Sequence, residues 1–128
     1  AGCDSPIHAT ALNEAVRTAF THLYVATLRQ RDQPVHEADL HTAVACLRDN
    51  ADTPRSGPGN DWVCNVTWRT PAATSAGATY SVTVRPDGCF TADGDGPADL
   101  VGSQTLVDAS GTTVLNLLWA FDGCLVLR

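Results

Sequence analysis

The chain has 128 residues, 44 % apolar and 17 % charged, with 14 acidic residues against 8 basic ones and a net charge of −6. That length fits one domain with a real core, and no run of about 18 apolar residues is present to cross a bilayer as a helix. Every basic residue is an arginine, scattered from Arg17 to Arg128 without the stripe that displaces counterions from phosphates, which excludes DNA and RNA as partners.

In chain order, Ser5-Pro6 reads as an N-cap followed by a first-turn proline, which opens a first helix. Leu12, Val16, Phe20, Leu23 and Leu28, with Ala15 and Ala19 beside them, recur at three- and four-residue steps through about residue 29 and form its core face. Gln33-Pro34 breaks the pattern; Leu40, Ala43, Val44 and Leu47 then predict a second, shorter helix ending near Asp49-Asn50. Residues 53–61 hold two prolines and two glycines and read as loop.

From there the period changes to two. Trp62, Cys64, Val66 and Trp68 alternate with Val63, Asn65, Thr67 and Arg69, and Tyr80, Val82 and Val84 mark the inner face of the next strand. The small residues from Pro71 to Gly77 are expected to connect the two as a mobile loop. Arg85-Pro86-Asp87-Gly88 is a turn signal before a short strand from Cys89 to Ala92. Residues 93–102 read as loop, Gln104 to Val107 and Thr112 to Leu118 as a hairpin around Asp108 to Gly111, and Cys124-Leu-Val-Leu as a well-covered closing strand. Helices first and strands after predict an α+β fold: two N-terminal helices packed on one face of an antiparallel sheet of about four to five strands. The expected organisation is one domain over 1–128, with a tether at 1–5, a helical part at 6–50 and a β part at 61–128.

The five cysteines, Cys3, Cys46, Cys64, Cys89 and Cys124, point to an oxidising compartment, and none forms a CxxC pair of the zinc or thioredoxin kind. Four of them make two bridges by any of three pairings. Asp-Gly-Cys occurs at 87–89 and again at 122–124, each reading as a turn that delivers a cysteine to a strand start. This favours Cys89 with Cys124, and leaves Cys46, at the end of helix two, to staple the helical layer to the sheet through Cys64.

Cys3 is then the extra one, either a spare or intermolecular cysteine or a residue with a role of its own. Ala1-Gly2-Cys3 resembles the end of a bacterial lipobox, with the customary leucine missing. That resemblance implies lipidation at Cys3, with any signal peptide upstream of Ala1; a chain retaining Ala1 and Gly2 has escaped that processing. Two or three acyl chains on one sulfur, at roughly 0.8 kcal/mol per buried methylene, hold a domain on a membrane almost permanently. The absence of lysine and methionine, with Ile7 the single isoleucine, resembles the product of a GC-rich coding sequence. Together with the two Asp-Gly-Cys segments, these features make the chain similar to small actinobacterial lipoproteins with a helical N-terminal part and a cysteine-stapled β part. The likeness implies a compartment and no activity.

Candidate chemistry is sparse. His36, Glu37 and His41 imitate a zincin motif, but the five-residue gap turns the two imidazoles about 140° apart on a helix, so no zinc site is expected there. His8 and His22 read as ordinary helix histidines. Asp93 to Gly96 with Asp99 departs from the calcium-loop pattern and reads as an acidic turn. Asn65-Val66-Thr67 satisfies a glycosylation sequon but reads as a solvent-side strand segment. No Gly-x-Ser-x-Gly elbow or phosphate loop occurs. The expectation is therefore an extracytoplasmic lipoprotein domain with a binding or structural role at the cell envelope, without cofactor, metal or catalytic residues. It is lipid-anchored to the outer face of the bacterial cell membrane or secreted, meets a protein or cell-envelope ligand as a monomer, and touches the membrane only through the lipid on Cys3. Two rivals stand beside it: a hydrolase or metal-dependent enzyme assembled from residues such as His22, His36 and Asp99, and a secreted protease inhibitor, for which Pro71 to Gly77 lacks flanking cysteines.

Overall fold

A helix of 22 residues lies along a five-stranded antiparallel sheet, and the pattern of its buried positions explains how the sheet is shaped. The structure, a computed structural model, describes residues 7–49, 56–94 and 105–125. Helix α1 (Ala9–Gln30) buries Leu12, Val16, Phe20, Tyr24 and Leu28, each four residues after the last. Four-residue steps advance by about 40° each, so this stripe winds through about 160° of the helix surface. A flat sheet cannot cover such a stripe. Accordingly α1 packs on β1 (Ala43–Arg48), β2 (Gly59–Arg69) and β7 (Ala120–Cys124), which include both edges of a sheet ordered β1-β2-β3-β4-β7. Strands β3 (Ser75–Val84) and β4 (Cys89–Gly94) form its middle. A separate two-stranded ribbon, β5 (Thr105–Val107) with β6 (Thr113–Leu115), branches off between β4 and β7.

The core is aromatic. Phe20 sits on Trp68 at 4.8 Å between ring centroids and edge-on to Tyr80 at 6.1 Å, while Phe121 packs edge-on against Tyr80 (5.1 Å) and Phe90 (6.5 Å). Each such ring removes 150–250 Å² from water and adds roughly 0.5–1.5 kcal/mol per edge or offset contact. Tyr80 is fully buried, its hydroxyl donates to the Leu118 carbonyl at 2.6 Å, and burial pushes its phenol well above the usual tyrosine range. Burial also raises the Tyr24 phenol, a shift that the Trp68 indole N–H beside it partly offsets.

Several sequence expectations change. The predicted second helix is one turn, α2 (Glu37–Leu40), ended by His41 in the left-handed conformation at φ 47°; Ala43 to Leu47 are strand. Leu40, Ala43, Val44 and Leu47 fit a helical period, but the same stretch alternates well enough to pair with β2 from Ala43↔Thr67 to Arg48↔Trp62, and that pairing wins. The architecture is thus α+β with one long helix, and β1 falls inside the stretch read as helical. Helix α1 begins at Ala9, with His8 as N-cap accepting from the Ala11 N–H through Nδ1 at 3.3 Å; Ser5 and Pro6 lie outside the described residues. Strand β2 starts at Gly59, where a Cβ would strike the Arg48 guanidinium. The connection expected over Pro71 to Gly77 is a closed turn before Ser75: Thr70 N–H donates to the Thr74 carbonyl (2.9 Å) and the two hydroxyls meet at 2.7 Å. Strand β4 runs on to Gly94, into the expected loop.

The closing strand is Ala120–Cys124, an edge strand that ends where a covered strand was expected to begin; Leu125 is buried and 126–128 lie outside the described residues. Asp-Gly-Cys at 87–89 is indeed a turn into β4, whereas 122–124 is extended strand, with Gly123 opposite Phe90. A Cβ on Gly123 would come within 2.9 Å of Phe90 Cζ, so the glycine serves ring packing rather than a turn.

The disulfides are Cys46–Cys64 and Cys89–Cys124, and each joins directly opposed residues of neighbouring strands. Neither ties helix to sheet: Cys46 lies on β1, so its bridge is internal to the sheet. Together they fasten both edge strands to their inner neighbours. Two such bridges suit an oxidising, extracytoplasmic environment. No helix among the described residues is long and apolar enough to cross a membrane.

Candidate functional site

The strand directions divide the molecule into two ends. His8, the 56–59 segment, the β3–β4 turn and Cys89–Cys124 share the end where α1 begins, while the α1 C-terminus, α2, the β2–β3 turn and the β5–β6 ribbon share the other. At the first end Arg48 is a structural knot. Its Nε and Nη2 donate to Asp61 Oδ1 (2.9 and 2.6 Å), its Nη1 to the Ser56 carbonyl (2.7 Å), and its guanidinium lies 4.9 Å from the Trp62 ring centre. A nearly buried arginine whose donors are spent on its own loop holds structure and offers little to a ligand.

The polar surface with open chemistry lies toward the second end. A cleft of about 300 Å³ is walled by Arg17, Thr21 and His22 of α1, Glu37 of α2, and His41 and Thr42 beyond it. His22 Nδ1 and Glu37 Oε1 are 3.2 Å apart and both exposed, and Arg17 pairs with Glu14. Thr21 donates its hydroxyl to the Arg17 carbonyl (2.7 Å), which orients that wall, and the Thr42 hydroxyl is buried without a hydrogen-bond partner. His36 lines an adjoining cleft with His22 and Glu37. The left-handed Asp32 (φ 58°) sits in the connection that returns the chain from α1 to α2, and the left-handed His41 then sends it into β1.

The β5–β6 ribbon is fixed at the same end. Asp108 Oδ1 accepts from the Ser110 hydroxyl (2.7 Å) and from the Ser110 and Thr112 N–H groups (3.0 and 2.9 Å), bonds led by the hydroxyl that hold its carboxyl below the usual carboxylate range. Ala109 N–H donates to the Gln30 carbonyl (2.9 Å), so the ribbon tip caps the C-terminus of α1. Register places Val107 and Leu115 on one face of the ribbon, 56 % and 77 % exposed.

The sequence-derived residues fare unevenly. His22 and His36 converge on Glu37, a carboxylate the sequence offered only within a rejected zincin motif. Nothing in the sequence marked Arg17, Thr21 or Thr42, because their meeting depends on the α1–α2 return. His8 is spent as a helix cap. Asp93 pairs with Ala120 inside the sheet, and Asn65 accepts from the Thr79 hydroxyl (3.0 Å) on the outer face. Asp99 and Cys3 lie outside the described residues. Among the described residues, no group of three or more His, Cys, Asp or Glu is placed to hold a metal ion. Compared with known protein families, curated proteins and solved structures, the chain gives no match.

Proposed function

We propose that this chain is an extracytoplasmic lipoprotein domain, anchored through Cys3 in its processed form, that binds a protein or cell-envelope ligand with the end bearing the histidine cleft and the β5–β6 ribbon. One observation carries the reading: the four cysteines among the described residues are joined in two disulfides, so of the five in the sequence Cys3, in Ala-Gly-Cys, is the remaining one. Cys3 lies five positions before His8, a reach of at most about 18 Å when extended. Such a tether keeps the start of α1 near the membrane. The opposite end, about 33 Å away along a helix of 22 residues, then faces outward. Exposed Val107 and Leu115 on a ribbon held at its tip are the kind of apolar contact that a binding surface uses.

The test is chemical. The full precursor is expressed in an actinobacterial host, extracted with detergent, and the peptide carrying Cys3 is weighed. A diacylglyceryl mass is expected, with Cys3→Ala moving the protein from the detergent phase to the aqueous phase. An unmodified Cys3, with wild type and variant both aqueous, overturns the proposal. A second reading, a small hydrolase, draws on the convergence of His22 and His36 upon Glu37; it requires an activity that His22→Ala abolishes while the fold is retained.

A further inference from the structure

The two disulfides lie on opposite faces of the sheet, and that placement separates their chemistry. Cys46 and Cys64 point inward, 3 % and 0 % exposed. A thiolate must touch a sulfur to exchange with it, so this bridge is reachable only when the core opens. On β4 the inward residues are Phe90 and Ala92, opposite Gly123 and Phe121 of β7, which turns the Cys89–Cys124 bridge to the outer face. There Cys124 is exposed and Cys89 half-buried.

We propose that Cys89–Cys124 is a site of thiol–disulfide exchange with an external dithiol, and that its reduction frees β7 while Cys46–Cys64 keeps the rest of the sheet closed. The dithiol's thiolate attacks the sulfur of Cys124, the more exposed residue; the S–S bond breaks, and its electron pair leaves on the Cys89 sulfur, which takes a proton. The second thiol of the dithiol resolves the mixed disulfide and releases Cys124. Two electrons and two protons pass to the protein, and the dithiol becomes a disulfide. Strand β7 is suited to release because it is five residues long and paired on one side only, to β4. Beyond the bridge it is held by the Phe121 ring on Tyr80 and Phe90, its contact with α1, and the Leu125 N–H on the Gly88 carbonyl at 2.9 Å.

The experiment treats the folded, oxidised protein with graded dithiothreitol, traps thiols with iodoacetamide, and maps them by peptide mass spectrometry. Cys89 and Cys124 are expected to label first, with Cys46 and Cys64 at least about a hundredfold slower. Hydrogen exchange on the singly reduced protein then speeds up over residues 120–125 and stays unchanged in β1 and β2. Equal labelling rates for the two pairs, or earlier labelling of Cys46 and Cys64, overturns the assignment. Unaltered exchange in β7, or loss of protection throughout the sheet, overturns the release.

Discussion

Removing the two disulfides separately sets loop entropy against packing. Cys89 and Cys124 are 35 residues apart and Cys46 and Cys64 are 18 apart. On the chain-entropy relation these loops are worth about 3.8 and 3.2 kcal/mol, so loop length alone makes Cys89–Cys124 the costlier loss. Burial reverses the order. Cys46→Ala with Cys64→Ala empties two sulfur positions in the core, which adds about 2 kcal/mol of lost transfer and cavity energy and brings the total to about 5. Cys89→Ala with Cys124→Ala leaves a half-buried and an exposed position and stays near 3.8. At about 4 °C per kcal/mol for a chain of this length, the inner pair should lower the melting temperature by about 20 °C and the outer pair by about 15 °C. Thermal melts under non-reducing conditions measure both. Should the inner variant fail to fold, Cys46→Val with Cys64→Val refills the space and is expected to cost about 3 kcal/mol. A larger loss for the outer pair than for the inner Ala pair, or losses under about 1 kcal/mol for both, would refute the reasoning.

Tyr80→Phe strands the Leu118 carbonyl in the core and should cost about 1–3 kcal/mol in urea unfolding. Because the Tyr80 phenol is raised in the folded state, the stability it contributes is present below the ordinary tyrosine pKa of about 10 and is lost as pH rises above it; Tyr80→Phe should flatten that alkaline limb. Gly123→Ala drives a methyl into Phe90 and should cost about 1–3 kcal/mol, while Phe90→Leu in the same chain relieves part of the clash. The depressed Asp108 carboxyl stabilises the ribbon above the ordinary carboxylate range, and that contribution fades as pH falls through its lowered value; Asp108→Asn should remove this acid dependence from the exchange rates of Ser110 and Thr112. Asn13 Oδ1 accepts the Cys46 N–H (2.8 Å) in the middle of edge strand β1, so Asn13→Ala should both destabilise by about 1–3 kcal/mol and promote self-association, read by sedimentation.

Local periodicity determined a good deal. The three- and four-residue steps from Leu12 to Leu28 mark α1, with Tyr24 buried where Leu23 was expected and Leu23 only partly covered. The alternation of Trp62 to Trp68 and of Tyr80 to Val84 marks the inner faces of β2 and β3, because one buried side imposes a period that any window of sequence displays. The Asp87-Gly88 turn is equally local. The 40–47 segment is different: its apolar residues satisfy both periods, and only the presence of β2 alongside decides for strand. Asp-Gly-Cys at 122–124 is spelled like a turn, yet the Phe90 ring needs a residue without a side chain opposite it, a demand visible only once β4 and β7 are paired. Since those strands are antiparallel, the end of β7 faces the start of β4, which is why Cys124 meets Cys89. The histidine cleft belongs wholly to the tertiary structure. His22 and Glu37 are brought together by the return from α1 to α2 through the left-handed Asp32, and no spacing along the chain encodes a distance that depends on where two elements come to rest.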